Sequence, residues 1–134
     1  MNVLVLGSGG REHALSHKIV QSTKCEKLFI APGNGGTAAL GDNVSLDIES
    51  AAEVAAFAKA QAIDIVVIGP EAPLVAGVHD GLKSFPELEN LVVVGPRQAA
   101  AELEGSKDFA KEFMMRHQIP TAAYQTFTKD TLAD

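Results

Sequence analysis

The sequence predicts an α/β fold built on an open, doubly wound, mostly parallel sheet of about five strands. Three short apolar runs, each rich in β-branched residues and followed or ended by glycine, carry this prediction: residues 3–6, 65–68 and 91–94. Continuous rather than alternating apolar runs are typical of strands buried on both faces of a parallel sheet. Helical patterns separate the runs, and such alternation requires right-handed crossovers between parallel strands.

Two further strands complete the predicted sheet. A run at residues 27–31 ends at Pro32, and residues 43–46 form a short edge strand. The first helix is predicted over residues 11–21, where Leu15 and Ile19 lie four positions apart. This spacing places both side chains on one helix face.

The clearest helix is predicted over residues 50–61. Ser50 followed by Glu53 is a capping-box pattern, and a stripe of mostly small apolar residues follows at helical spacing. Pro73 suits the first turn of another helix, which we expect to run to about Ser84. Two more helical stretches are predicted at residues 98–103 and 107–117.

The pattern changes after Leu103, and this change suggests a domain boundary. Residues 1–103 are predicted to form a complete domain, and residues 104–134 the beginning of a second one. Within that second part, residues 119–124 have the composition of a strand. The sequence contains no internal repeat or low-complexity segment.

Composition excludes several classes of protein. The chain has 134 residues, 46% of them hydrophobic, with a formal net charge of −6 and no Lys/Arg patch, so nucleic-acid binding is not expected. Cys25 is the only cysteine, which excludes an internal disulfide and a cysteine-rich zinc site. The apolar start at residues 2–6 is too short for a signal peptide or a membrane span. We therefore expect a cytoplasmic protein. His13 and His17 have no evident third metal ligand, so no metal site is predicted.

Four glycine-containing turns follow four of the predicted strands. They lie at residues 7–11, 32–37, 69–73 and 95–97. In a doubly wound, Rossmann-like sheet, ligands bind outside the carboxyl ends of the strands. The four turns are therefore expected to meet at one edge and to form the binding site.

The first turn has the features of a phosphate site. Gly9 and Gly10 follow a strand and open a helix, where free amides and the helix dipole favour an anion, and Arg11 adds a positive charge. A purely structural turn with a solvated Arg11 is the alternative. The turn is not a dinucleotide fingerprint, because Glu12 takes the place of its third glycine and Ala31 stands where an acidic residue should hold a ribose. A nicotinamide-dependent enzyme is therefore disfavoured.

The next two turns supply further candidate binding residues. The second can form an anion nest of backbone amides or a flexible surface loop, and its candidates are Gly33, Asn34, Gly35, Gly36 and Thr37. The third holds Glu71 between Pro70 and Pro73, a rigid frame that suits a carboxylate accepting bonds from sugar hydroxyls. An interaction with a helix start is the alternative role for Glu71. Asp80, on the following helix, is a further candidate.

Six segments together resemble one enzyme family. They are GSGGREHA at residues 7–14, APGNGGT at 31–37, GPEAPL at 69–74 with the spacing to Asp80, GP at 95–96, LEGSKDFAK at 103–111 and IPTAAY at 119–124. In this order they resemble the amino-terminal part of phosphoribosylamine–glycine ligase, also called glycinamide ribonucleotide synthetase. The resemblance spans nearly the whole chain.

This resemblance implies a function and a set of partners. The family joins glycine to 5-phosphoribosylamine in purine biosynthesis, using ATP with magnesium (or manganese), on an ATP-grasp architecture preceded by a Rossmann-like domain. It implies that the glycine turns hold the 5-phosphate, that Glu71 holds the ribose hydroxyls and that Lys107 reaches the ATP phosphates. The metal-binding carboxylates of the family lie in segments with no counterpart here. We therefore expect the remaining ATP-grasp and carboxy-terminal domains as partners, no catalytic residue within this chain, and no ligation by the chain alone.

Overall fold

The computed structural model describes residues 1–128, 130 and 131, and its centre is a five-stranded parallel sheet. The strands are β1 (Asn2–Gly7), β2 (Lys27–Pro32), β3 (Asp42–Asn43), β4 (Ile65–Ile68) and β5 (Val92–Val94). Their spatial order is β3-β2-β1-β4-β5, and all neighbours are parallel. The predicted fold class is confirmed.

Six α-helices connect or follow the strands. They are α1 (Gly10–Ile19), α2 (Ala51–Ala60), α3 (Glu71–Val75), α4 (Val78–Ser84), α5 (Gln98–Gly105) and α6 (Lys107–Arg116), with 3-10 turns at Thr37–Ala39 and Pro86–Leu88. In the part of the chain described, no helix has the length and apolar character needed to cross a bilayer.

The larger core lies on one face of the sheet. Leu4 and Leu6 of β1 are fully buried there, beside Val66 of β4, and α2, α3, α4 and α5 supply the opposing side chains. A smaller cluster on the other face is formed by Val3, Val5, Leu28 and Ile30, against which Ile19 of α1 packs. The central strand β1 is therefore buried on both faces, as its continuous apolar run predicts.

The last strand departs from that pattern. Val92 and Val94 of β5 are each 49% exposed, so the expectation of burial on both faces is wrong for this strand. On the face that carries the smaller cluster, α1 packs against β1 and β2 but does not extend over β5. An apolar groove of 380 Å³ remains there, lined among others by Ile19, Cys25, Val67 and Val94.

Helix α1 buries polar rather than apolar residues. Glu12 is 3% exposed and Ser16 is fully buried, whereas Leu15 is 39% exposed. The predicted Leu15–Ile19 stripe is therefore not the buried face. Glu12, Ser16 and Ile19 form that face instead, and a search for apolar periodicity cannot find it because two of the three are polar.

The start of α2 and the length of the following helix differ from the prediction. Ser50 Oγ accepts a hydrogen bond from the amide of Glu53 (3.3 Å), as a capping box requires, but the Glu53 carboxylate accepts from the amide of Asp47 (3.0 Å). The single helix predicted from Pro73 to Ser84 is divided into α3 and α4. Gly77 divides it, because its φ of 83° lies in the left-handed region.

The predicted strand at residues 119–124 is not formed in the described part of the chain. Gln118 has a φ of 55°, and residues 119–128 have no regular secondary structure. A strand needs a hydrogen-bonding neighbour, and residues 119–124 pair with none of the five strands. The edge strand predicted at residues 43–46 is also shorter than expected and begins one residue earlier, as β3.

Candidate functional site

The four glycine turns meet at the carboxyl edge of the sheet, as predicted. Gly7 at the end of β1 is in register with Pro32 at the end of β2, and Leu6 is in register with Ile68 of β4. Main-chain bonds continue beyond the strands: the Gly33 amide donates to Gly7 O (3.2 Å) and the Gly69 amide to Leu6 O (3.1 Å). The turns are therefore held by the same ladder that forms the sheet.

The start of α1 presents the features of an anion site. Gly9 is the N-cap and offers no side-chain cap, so the amides of Gly10 and Arg11 at the first positions lie outside the intrahelical hydrogen-bond pattern. Apart from the backbone of α1 and the two neighbouring residues, no atom lies within 4 Å of the point where a Cβ of Gly10 would stand, and the Arg11 side chain is 62% exposed. This corner of the edge is open and positive.

Glu12 fills the space behind that corner. Its Oε2 accepts a hydrogen bond from the Gly9 amide (2.7 Å), while Arg11 Nε lies 3.7 Å from its Oε1. The glycines at positions 7 and 9 therefore make room for a carboxylate of this chain, and the room for a ligand is at Gly10. Sequence reasoning noticed Glu12 only as a departure from a dinucleotide motif, and nothing in the sequence signalled its burial.

The second turn is largely occupied with its own hydrogen bonds. Asn34 Oδ1 accepts from the amides of Gly36 (2.8 Å) and Thr37 (3.0 Å), and Thr37 Oγ1 accepts from the Asn34 amide (2.7 Å). These amides are therefore paired internally rather than presented as a nest. Thr37 is fully buried, and its side chain is engaged within the turn. Gly35 remains exposed and uncrowded.

Asn34 also joins the first two turns. Its Nδ2 donates to Ser8 O (2.7 Å). Asn43 of β3 completes the arrangement, because its Nδ2 donates to Asn34 O (2.8 Å) and its Oδ1 accepts from Thr37 Oγ1 (2.7 Å). Gly33, with a φ of 72°, approaches Asn43 too closely to carry a side chain. The second turn thus buttresses the first, whichever of its atoms contacts a ligand.

The third turn presents an unengaged carboxylate. Pro70 is the N-cap of α3, Glu71 is its first residue and is exposed, and Pro73 and Leu74 anchor the helix in the core. Within the described residues no hydrogen bond or ion pair engages the Glu71 carboxylate. The backbone that carries it is therefore fixed by packing while the acceptor itself faces solvent.

Asp80 is placed differently from Glu71. Its Oδ2 accepts from the amide of Gln98 (2.7 Å), the first residue of α5, and its Oδ1 lies 3.9 Å from Arg97 Nε. Asp80 therefore caps the start of α5 and holds the fourth turn. His79 assists there, because its Nδ1 lies 2.7 Å from Gly95 O.

Lys107 begins α6 and is exposed, and Ser106 caps this helix by accepting from the Phe109 amide (3.2 Å). The neighbouring Lys111 instead bonds to Thr121 Oγ1 (2.6 Å) and Ala122 O (3.0 Å).

Among the residues that the structure describes, no group of three or more His, Cys, Asp or Glu side chains could hold a metal ion.

Comparison with known proteins gives a consistent result. Residues 1–104 match the family model described as phosphoribosylglycinamide synthetase, N domain. Phosphoribosylamine–glycine ligase of Vibrio parahaemolyticus is 53% identical over 131 residues, which are 96% of this chain and 30% of the relative. The ligase of Agrobacterium fabrum is 55% identical over 127 residues, which are 95% of this chain and 29% of the relative. The chain thus spans about 30% of the length of these relatives.

Solved structures agree with the sequence relatives. The crystal structure of phosphoribosylamine–glycine ligase from Thermotoga maritima superposes with a TM-score of 0.60 at 32% identity, over 92% of this chain and 26% of that one. Glycinamide-RNase-transformylase T from Mycobacterium tuberculosis matches with a TM-score of 0.61 over 87% of this chain and 35% of that one, but at 17% identity this likeness concerns the fold alone. This chain belongs to the phosphoribosylglycinamide synthetase N-domain family.

Proposed function

We propose that this chain binds the phosphoribosyl part of 5-phosphoribosylamine. One observation carries the proposal: the open start of α1, at Gly10 and Arg11, and the helix that carries the unengaged carboxylate of Glu71 follow the ends of two adjacent strands. An anion site next to a hydroxyl acceptor is the complement of a sugar phosphate. Family membership supports the same substrate, since the relatives are named for it.

Each group has a separate task in this proposal. The amides of Gly10 and Arg11, the helix dipole and the Arg11 guanidinium hold the 5-phosphate. The Glu71 carboxylate accepts hydrogen bonds from the ribose hydroxyls, and the exposed Gly35 is the contact from the second turn. Asn34, Gly36 and Gly33 act indirectly by holding that turn in place.

The complete reaction extends beyond these residues. In this proposal the parent enzyme is an ATP-dependent carbon–nitrogen ligase of the cytoplasm that joins glycine to 5-phosphoribosylamine in purine biosynthesis. Lys107, exposed at the start of α6, is suited to contact ATP phosphates as a point charge. In this proposal the remaining domains of the full-length enzyme bind Mg²⁺ or Mn²⁺.

Replacing Glu71 with glutamine should remove binding of the sugar while leaving the fold intact. The measurement is a thermal-shift titration with ribose 5-phosphate, a stable analogue of the substrate. At about 100 times its dissociation constant, a ligand of the wild-type chain adds roughly 2.7 kcal/mol to the free energy of unfolding. We expect Glu71→Gln to abolish most of that gain. The carboxylate accepts hydrogen bonds at both oxygens, whereas the glutamine amide has only one acceptor oxygen and presents an NH2 donor in place of the other.

Glu89→Gln is the matched control. Glu89 is also an exposed carboxylate, but it lies before β5 at the opposite edge of the sheet, so its replacement should leave the titration unchanged. Ribose without phosphate should stabilise the chain less than ribose 5-phosphate does. No response of the wild-type chain to ribose 5-phosphate would count against the proposed function, and stabilisation by NAD would favour a cofactor domain of an oxidoreductase.

A further inference from the structure

Glu12 is the most deeply buried carboxylate of the described residues, and three glycines surround it. A Cβ added to Gly69 would lie 2.2 Å from Glu12 Oε1, one added to Gly7 would lie 2.6 Å from Cγ, and one added to Gly9 would lie 2.9 Å from Oε2. These three glycines come from the ends of two different strands and from the start of α1. The Glu12 side chain therefore occupies the space between the first and third turns.

The arrangement inverts the usual close packing of a dinucleotide-binding turn. There, a third glycine on the helix allows the helix to approach the strand. Here the helix supplies a glutamate and the strand ends supply the glycines. Gly69 is not one of the glycines with positive φ, so its backbone conformation does not itself demand glycine. What excludes a side chain at Gly69 is the Glu12 carboxylate.

We propose that Glu12 is a positioning residue that fixes the first turn against the third, with Gly69 as its matched partner. One oxygen, Oε2, holds the Gly9 amide, and the rest of the carboxylate packs on Gly69, two residues before Glu71. Glu12 thereby sets the separation between the open amides at Gly10 and the carboxylate of Glu71. Its effect on ligand binding rests on the proposed function, whereas the pairing with Gly69 does not.

A double-mutant cycle tests the pairing without any ligand. Gly69→Ala should lower the urea midpoint of the wild-type chain, because its methyl group clashes with Glu12. In a Glu12→Ala background the same substitution should lower the midpoint by less than half as much, since the clashing atoms are gone. An equal loss in both backgrounds would overturn the pairing.

Gly81→Ala is the matched control for this cycle. Gly81 also has no positive φ, and its added Cβ would lie 2.5 Å from the Cβ of Ala51, a contact between α4 and α2 that does not involve Glu12. We expect Gly81→Ala to lower the midpoint equally with and without Glu12. Relief of the Gly81 defect by Glu12→Ala would show that loss of Glu12 loosens the whole chain, which would contradict a specific pair.

Calorimetric titration with ribose 5-phosphate tests the positioning role. Glu12→Ala should weaken binding by about tenfold, the equivalent of 1.4 kcal/mol. Glu12→Gln should stay within about threefold of wild type, because its side-chain carbonyl still accepts the Gly9 amide. If Glu12→Ala does not fold, Glu12→Asp is used in its place. The shorter aspartate side chain cannot reach the Gly9 amide, so this variant should bind ribose 5-phosphate as weakly as expected for Glu12→Ala.

Two readouts separate positioning from general stability. Ser16→Ala removes the other buried polar group of α1, one turn away, and should change the urea midpoint but not the affinity. Hydrogen exchange at the Gly9 amide should be faster in Glu12→Ala than in Glu12→Gln. Wild-type affinity in Glu12→Ala would overturn the positioning role. Failure of the wild-type chain to bind ribose 5-phosphate would instead refute the proposed function. The pairing of Glu12 with Gly69 would then be decided by the double-mutant cycle alone.

Discussion

Replacing Leu4 with alanine should lower the free energy of unfolding by about 3 kcal/mol. Leu4 is fully buried at the centre of β1, between Phe29 of β2 and Val66 of β4 in the ladder, and belongs to the larger core. Its neighbours are fixed by hydrogen bonds on both sides, so they cannot collapse into the cavity. Urea unfolding should show a lower midpoint with an unchanged dependence on denaturant.

Leu15→Ala provides the comparison, since it removes the same atoms from a side chain that is 39% exposed on α1. We expect a loss below about 1 kcal/mol, because little apolar area returns to water and alanine favours a helix. An equal loss of unfolding free energy in Leu4→Ala and Leu15→Ala would show that α1 buries the face with Leu15, as the sequence pattern suggested, and does not bury the face with Glu12.

Asn34→Ala should lower the free energy of unfolding by about 3 kcal/mol, at roughly 1 kcal/mol for each of the three side-chain hydrogen bonds lost. The substitution leaves the amides of Gly36 and Thr37 without their shared acceptor and removes the donor to Ser8 O. Because the bond to Ser8 O joins the first two turns, its loss should also weaken binding of ribose 5-phosphate. Urea unfolding measures the first effect and calorimetry the second.

Asn90→Ala is the control for Asn34, because Asn90 is exposed before β5 at the opposite edge of the sheet. Its replacement should change neither quantity measurably. Hydrogen exchange at Gly36 and Thr37 gives a local check, since both amides should exchange faster in Asn34→Ala only. Unchanged exchange there would mean that Asn34 does not hold the turn.

The fold was predictable because its strongest signals are local. Continuous apolar runs ending at glycine place β1 and β4 correctly, and the alternation with helices requires a parallel sheet. Burial of β5 was not predictable, since its sequence resembles that of β4 while its exposure depends on which elements reach that side of the sheet. The division of α3 from α4 depends on one backbone angle, at Gly77, which the sequence permits but does not require.

The location of the candidate site was predictable from the sequence, but the hydrogen bonds within it were less so. Because parallel strands end at one edge, the glycine turns had to meet, and Glu71 had to stand beside them. The glycines themselves are ambiguous, since a missing side chain can admit a ligand, as at Gly10, or another residue of the chain, as at Gly69. Thr37 and Asp80 were also candidates for ligand contact, but their side-chain oxygens form hydrogen bonds within the protein.

The lengths of the two edge strands limit how another chain could pair with this sheet. Both edge strands are very short, two residues in β3 and three in β5, so they offer little backbone for another strand to join. The half-exposed valines of β5 instead present side chains, whose association is driven by release of water. Any association through this face is therefore expected to weaken on cooling.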